Sequence, residues 1–284
     1  MVTPMASVEK IWTFHTGMAK VHRGLLEASS KNEICWLPIL CYLLIHPNGP
    51  VLIDTGLGSN MLKRRRKWWG RALALKFHAT FEPSMDCRSR IRQCGIDPED
   101  IRVGILTHLH YDHAGAVLDL PRTRFHVSQR ELEFALKQRG IAGLRKGYVG
   151  AEYREAWNLR DFEWEHTNKL EPFDVVFDLF GDGAVRVFPT PGHTGGHCSV
   201  LVRLADNKEA LITGDAAFTV GQIESDTPFG FLPKRFGGSL SKANETLHRL
   251  RTFARRRENL IVLTSHDPEQ GDDAVLGPSV ITDG

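Results

Sequence analysis

The segment Thr107-His108-Leu109-His110-Tyr111-Asp112-His113 follows directly on the apolar run that starts at Ile101, and no other feature constrains the chain as much. Such a run reads as a buried strand, Ile101–Thr107. Side chains alternate across a strand, so His108 and His110 point the same way, while Asp112 and His113 follow in the turn at its carboxyl end. Imidazole and carboxylate donors set this closely suit zinc and neighbouring divalent transition ions. Taken alone, the segment also fits a polar strand end whose histidines only face water.

Three more residues shift that balance. His193 follows the strand Ala184–Thr190, Asp215 ends the run ALITGD, and His266 ends the run NLIVLTSH. Each sits where a strand gives way to a loop, and in open α/β sheets that carboxyl edge is where ligands bind. The seven residues make two metal sites that share one carboxylate.

Cys41–Thr55 reads CYLLIHPNGPVLIDT, two apolar runs about the turn signal Pro47-Asn48-Gly49-Pro50, and predicts a β-hairpin. Further strands are predicted at Arg124–Val127, Cys198–Leu204, Ala210–Thr213 and Asn259–Thr264. Helices are predicted at Met85–Cys94, Gln129–Lys137 and Ser241–Arg256, the first ending at Gly95 with Pro98 beyond. Residues 137–173 show no clear period. Strands occur in both halves, each set followed by helices with no Pro/Ser-rich linker, so the 284 residues are expected to form one α/β domain of two similar halves.

The 36 Lys+Arg against 34 Asp+Glu leave a net charge of +2, which speaks against a dedicated nucleic-acid binder. The most apolar run, Ile34–Ile45, contains Pro38 and falls short of the roughly 20 residues a membrane span needs. The N-terminus shows no secretory pattern, so the cytoplasm is expected. Cys35, Cys41, Cys87, Cys94 and Cys198 are an odd set without a Cys-x-x-Cys pair and are expected to be reduced thiols.

The joint pattern His-x-His-x-Asp-His, then His, Asp and His, resembles the metallo-β-lactamase superfamily, and the hairpin ending Ile53-Asp54-Thr55-Gly56 is similar to its other hallmark. The resemblance runs from about Cys41 to Gln270 and implies an αββα sandwich with the metal site at one edge. Asp215 makes a β-lactam a weaker substrate, since β-lactamases of this fold usually lack a bridging carboxylate. The short stretch after His266 leaves no room for the helical domain of glyoxalase II. CYLLIHPNGPVLIDTG, THLHYDHAG, TPGHTGGH, TGDAAFT and SHDPEQ each resemble segments of the N-acyl-homoserine lactone lactonases.

That resemblance implies a dinuclear hydrolase that opens the lactone ring with a metal-bridged hydroxide and so degrades quorum signals. His108, His110 and His193 would hold one ion and Asp112, His113 and His266 the other, with Asp215 bridging. Two divalent ions are implied, zinc first, with iron, manganese or cobalt accepting the same donors. Asp112 would pass the proton to the leaving alkoxide, and Asp54 would orient a histidine ligand by hydrogen bonding. The family usually has a tyrosine three positions after the bridging aspartate, where this chain has Phe218, so Phe218 is a candidate substrate contact.

His197 is expected to pack or to support the ligands rather than to be an eighth one. The basic-aromatic cluster Lys63–Trp69 is expected to lie in an active-site flap over residues 57–80, with Trp68, Trp69 and Phe77 covering an acyl chain; a solvated basic loop is the alternative. The expected partner is a small lactone or ester, with no nucleic acid and no membrane, and a homodimer is compatible. Another lactonase or esterase activity, a phosphodiesterase activity and a non-catalytic binding role are the rival functions.

Overall fold

The hairpin forms as the turn residues dictate. Strand β2 (Ile34–His46) turns through Pro47 and Asn48 into β3 (Gly49–Ile53), with His46 opposite Gly49, whose φ of 113° suits only glycine. The structure is a computed structural model that describes residues 6–28, 33–64, 79–80, 82–162, 164, 170–205, 208–270 and 275–276. Trp68, Trp69 and Phe77 lie outside the described residues. The part of the expected flap that is described comprises a helix over 59–64 and the two-residue strand β4 (Ala79–Thr80).

β2 pairs antiparallel with a strand that sequence patterning missed, β1 (Lys10–His22). The register shifts between His15 and Met18, so inward residues do not alternate along it: Thr13 and Phe14 are buried side by side. A bulge of this kind erases the two-residue period that betrays a strand.

From β3 the first sheet continues in parallel through β5 (Val103–Ile105), β6 (Arg124–Ser128) and β7 (Leu159–Phe162). On its other side, β1 takes β4 and β13 (Val275–Leu276). β7 falls within the stretch 137–173, along with the short helices Gly140–Arg145 and Gly150–Glu155, which are too brief to show a period. The second sheet runs β12 (Leu260–Leu263), β11 (Glu209–Ile212), β10 (Cys198–Arg203), β9 (Val185–Pro189) and β8 (Phe177–Asp178), antiparallel except for β11 with β12.

The inner faces meet in one core, where Ile11, Leu40, Tyr42 and Ile53 pack with Val187, Val200, Val202 and Ile212. Helix Cys87–Gln93 and helix Gln129–Lys137 cover the outer face of the first sheet, through Cys87, Ile91 and Ala135 against Leu43, Leu52 and Phe125. Helix Leu240–Arg255 covers the second, placing Leu247, Leu250 and Phe253 on Phe188, Leu201 and Leu211. The layers are therefore αββα. Asp86 caps helix Cys87–Gln93 by accepting from Ser89 N at 2.7 Å, and Gly95 ends it at φ 80°. The five cysteines are all free thiols. Among the described residues no helix is long and apolar enough to cross a membrane.

β5 is shorter than the expected Ile101–Thr107, because the chain leaves the sheet after Ile105 to carry His108 and His110 outward. Leu52, Gly104 and Phe125 lie in register across β3, β5 and β6, and the Phe125 ring occupies the space over Gly104. A Cβ at Gly104 would stand 2.6 Å from that ring. Gly104→Ala is thus expected to cost about 1–3 kcal/mol by overpacking, measured as a lower midpoint of chemical unfolding; an unchanged midpoint would show that the layer yields freely.

Candidate metal centre

Every ligand candidate stands just past the end of a strand. After β5 the chain runs extended to His110, then turns through the one-turn helix Tyr111–Ala114 that presents Asp112 and His113. His193 follows β9, Asp215 follows β11 in a short 3-10 turn, and His266 follows β12. Tyr111 N donates to the Gly147 carbonyl at 2.9 Å, bringing residue 147 against the His110 ring. A Cβ there would lie 2.7 Å from the ring, so the close approach requires glycine.

The seven side chains converge in two groups, His108, His110, His193 and Asp215 in one, Asp112, His113 and His266 in the other, and within each group the ligand atoms lie within 4.8 Å of one another. His110 Nδ1 is 3.0 Å from His108 Nε2 and 2.9 Å from His193 Nε2. Asp215 spans the groups: Oδ2 is 3.1 Å from His193 Nε2, while Oδ1 is 3.2 Å from both His113 Nε2 and His266 Nε2. All are buried except Asp112, whose side chain is 19% exposed.

His110 Nδ1 is within hydrogen-bond reach of its two histidine neighbours, but other inward atoms have no partner among the described residues. His113 Nε2 and Asp215 Oδ1, though 3.2 Å apart, make no aligned hydrogen bond, and neither finds another partner among the described residues. Buried polar atoms left so are costly unless something between them accepts their lone pairs. Donors held ~2.0–2.2 Å from one zinc-sized ion stand ~3.3 Å apart in a tetrahedron, close to the separations here. The donor set and its orphaned lone pairs fit divalent metal ions.

Groups behind the ligands set which nitrogen faces inward. Asp54, at φ 58°, accepts from Thr107 N and from Thr107 Oγ1, each at 2.8 Å, and takes the His113 Nδ1 proton at 2.8 Å. Because the Thr107 hydroxyl donates to Asp54, its oxygen accepts from His108 Nδ1 at 3.1 Å, leaving His108 Nε2 a bare lone pair. The Pro38 carbonyl can only accept, so His266 Nδ1 donates to it at 2.8 Å and His266 Nε2 faces the site. His197 Nε2 accepts from Asp215 N at 3.0 Å, and its Nδ1 donates to Thr190. His197 thus supports the bridging residue and is not a ligand, as expected.

Electrostatics follow the same plan. Burial pulls His108, His110 and His193 below the ordinary histidine value, and burial with the neighbouring His193 takes His197 down to about 3. Neutral imidazole is the form a metal ion binds. Burial also opposes charge on His113 and His266, but the Asp215 carboxylate overcomes it and raises both. Burial opposes ionisation of Asp215 in turn, yet His113, His266 and His193 hold it well below the carboxylate range.

Two functional features escaped sequence reasoning. Glu131, completely buried, accepts from Leu109 N at 3.1 Å and Tyr148 Oη at 2.8 Å with one oxygen, and from Thr194 Oγ1 at 2.7 Å and Gly196 N at 3.2 Å with the other. It straps the His108–His113 loop to the His193 loop. Its only signal was a glutamate on the apolar side of a helix. The second is a cavity of about 400 Å3 beside the ligands, lined by Tyr148, Phe236, Phe134 and Thr194. Tyr148 and Phe236 touch the His110 ring at 4.8 and 5.3 Å. Phe218 is fully buried, its ring 5.7 Å from His193 and 6.0 Å from His266. Tyr111 packs with Ile39, Leu57, Met61 and Val149.

Asp54→Ala is expected to weaken metal affinity ~10–100-fold, read by competition with a chelator, without loss of the folded far-UV spectrum. Glu131→Gln turns an acceptor into a donor against Thr194 and Gly196 and is expected to act in the same direction; unchanged affinity would make the strap purely structural.

Residues 36–266 match the family model described as Metallo-beta-lactamase superfamily. The chain is 31% identical over 233 residues to N-acyl homoserine lactonase AttM of Rhizobium radiobacter, covering 82% of this chain and 83% of that protein. It is 26% identical over 281 residues to N-acyl homoserine lactonase AiiA of Bacillus thuringiensis subsp. kurstaki, covering 97% and 100%. A solved N-acyl homoserine lactone hydrolase with N-hexanoyl-L-homoserine bound at its catalytic metal centre superposes with TM-score 0.73 at 23% identity, covering 93% of this chain and 95% of that one, a likeness of fold. With its sheets, its ligand loops and most of its length accounted for by that family, the chain belongs to the metallo-β-lactamase superfamily.

Proposed function

We propose that this protein is a hydrolase that opens the lactone ring of N-acyl-homoserine lactones, and so degrades quorum signals. The observation that carries the chemistry is Asp215, one buried carboxylate whose two oxygens face two separate ligand groups. The substrate class is supported by relatives named as N-acyl homoserine lactonases.

His108, His110 and His193 would hold one divalent ion and Asp112, His113 and His266 a second, with Asp215 between; zinc is the first choice, iron, manganese or cobalt the alternatives. When bound, such ions supply Lewis acidity toward an ester carbonyl and toward water. The protein's own part is to place and protonate. In the ring opening the oxygen of one water bonds to the acyl carbon as the bond to the ring oxygen breaks; Asp112, the one candidate ligand carboxylate with solvent access, takes a proton from that water and delivers it to the ring oxygen, and the product is the open-chain acyl-homoserine. Tyr148, Phe236 and Phe134 offer apolar surface to an acyl chain in a cavity whose lining also carries Arg130, Glu133, Lys137 and Lys242. Trp68 and Trp69, in the proposed flap over 57–80, would close over that chain.

Phe218 offers the carbonyl no hydrogen bond, and a second reading rests on it: a lactonase or esterase whose preferred substrate is not a homoserine lactone. Five free thiols suit the reducing cytoplasm, where we place the protein as a single catalytic domain.

A substrate panel is the direct test. Acyl-homoserine lactones are expected to turn over faster than aryl esters, δ-lactones and bis(p-nitrophenyl) phosphate; no ring opening of any homoserine lactone by metal-loaded protein would reject the reading. Chelation is expected to abolish turnover and divalent ion to restore it. Asp215→Ala and His110→Ala should lose bound metal and activity together. Phe218→Tyr is expected to raise kcat/KM on homoserine lactones by roughly tenfold, the rate equivalent of ~1.4 kcal/mol, within the worth of one buried hydrogen bond.

A further inference from the structure

A second cavity, about 380 Å3, opens at the opposite edge of the first sheet, and Arg102, Arg122, Arg124, Arg160, His126 and Trp157 line it. Arg102 precedes β5, Arg124 opens β6 and Arg160 is the second residue of β7, so the cavity lies at the amino ends of the parallel strands. His108 lies six positions beyond Arg102, through β5 and the extended chain that follows it. At ~3.3 Å per residue that places the cavity ~20 Å from the metal ligands.

The composition of this wall is the anomaly. His126 stands opposite Arg160, and Ser128 opposite Phe162, so Arg124, His126, Arg160 and Phe162 share one face of the sheet. Phe162 stacks on Phe177 of β8 at 4.4 Å, which identifies that face as the one turned toward the second sheet. Past Phe177, at the end of the second sheet, that face carries Arg124 and Arg160, both exposed to solvent. β7 is the last strand of its sheet, and a charge on an edge strand blocks unwanted pairing, but Arg124 belongs to β6, an interior strand, and Arg102 directly precedes β5.

Nor are the cations consumed by carboxylates. Among the described residues no acid lines the cavity. Arg122 meets Glu99 at 3.2 Å, whereas Arg102 and Arg124 make no side-chain ion pair or hydrogen bond among the described residues. Arg160 Nη1 donates to the carbonyls of Trp157 and Leu159, each at 2.8 Å, which fixes the guanidinium at the rim. The floor is rigid, because Asn158 donates to the carbonyls of Val117, Leu120 and Thr123. Burial and the charges of Arg124 and Arg160 depress His126, a sign of uncompensated positive field. Trp157 is 67% exposed beside it, the most exposed large apolar side chain described.

We propose that this cavity is a second ligand site, separate from the metal centre, that binds a nucleoside polyphosphate. Guanidinium forks match phosphate oxygens two at a time. The exposed indole supplies a stacking face for the base. A cavity of this size admits a small molecule of that class.

The test is calorimetric titration of the full-length protein with ATP, tripolyphosphate and adenosine at fixed ionic strength. ATP is expected to saturate one site, tripolyphosphate to bind at least fivefold more weakly and adenosine more weakly still. Arg124→Gln with Arg160→Gln should weaken ATP at least tenfold, and Trp157→Ala should bring ATP to the level of tripolyphosphate. Lactone turnover by these variants should equal wild type, which confirms that they fold. Absence of saturable ATP binding, ATP affinity untouched by the variants, or tighter binding of a single-stranded oligonucleotide than of ATP would each overturn the proposal.

Discussion

The structure turns on one buried charge. Asp215 brings a carboxylate to a buried place and sets it among four imidazoles from three loops, at 3.1 to 3.9 Å. A buried carboxylate is tolerated only where it is paired, so each of those loops must arrive with its nitrogen already aimed. The hydrogen bonds from Thr107, Asp54, Pro38 and His197 meet that demand. They come from β2, the β3 end, the β5 end and the second sheet, and the centre therefore draws on both halves of the sandwich.

The same demand explains the fold's asymmetry. Parallel strands β3, β5 and β6 all deliver their carboxyl ends to one edge, where loops are free of the sheet ladder and can carry polar groups. β11 and β12, also parallel, do the same from the second sheet. The ladder gives way early where the chemistry is densest: β5 yields after three residues, and Asp54 takes a left-handed backbone at φ 58° directly after β3. Strain of that kind persists where surrounding contacts hold it, and here three hydrogen bonds to Asp54 do so.

The candidate ligands stood out in the sequence because imidazole and carboxylate at strand ends have few other reasons to be there, and the fold brings the seven side chains together in two adjoining groups. Helix Gln129–Lys137 was legible as a segment and the hairpin through its turn residues Pro47-Asn48-Gly49. What could not be read depends on partners distant in the chain. Glu131 looks like any helix glutamate until the Thr194 loop folds over it. Pro38 interrupts an apolar run, and only the fold shows that its carbonyl orients His266. β1 hid behind its bulge, and the short helices of 140–155 carry too few turns for periodicity.

Ligand identity and substrate choice are thus separable in this chain. The candidate ligands and their supports are polar and convergent, and all but Asp112 are buried. The walls beside them, Tyr148, Phe236 and Phe218, are aromatic and make no demand on the metal geometry beyond ring contacts with His110, His193 and His266. An apolar wall discriminates weakly between tails that differ by a methylene, by ~1–3 kcal/mol, whereas a hydroxyl aimed at the carbonyl would discriminate strongly. Phenylalanine at position 218, fully buried beside His193 and His266, brings a ring and no hydroxyl to that side of the centre.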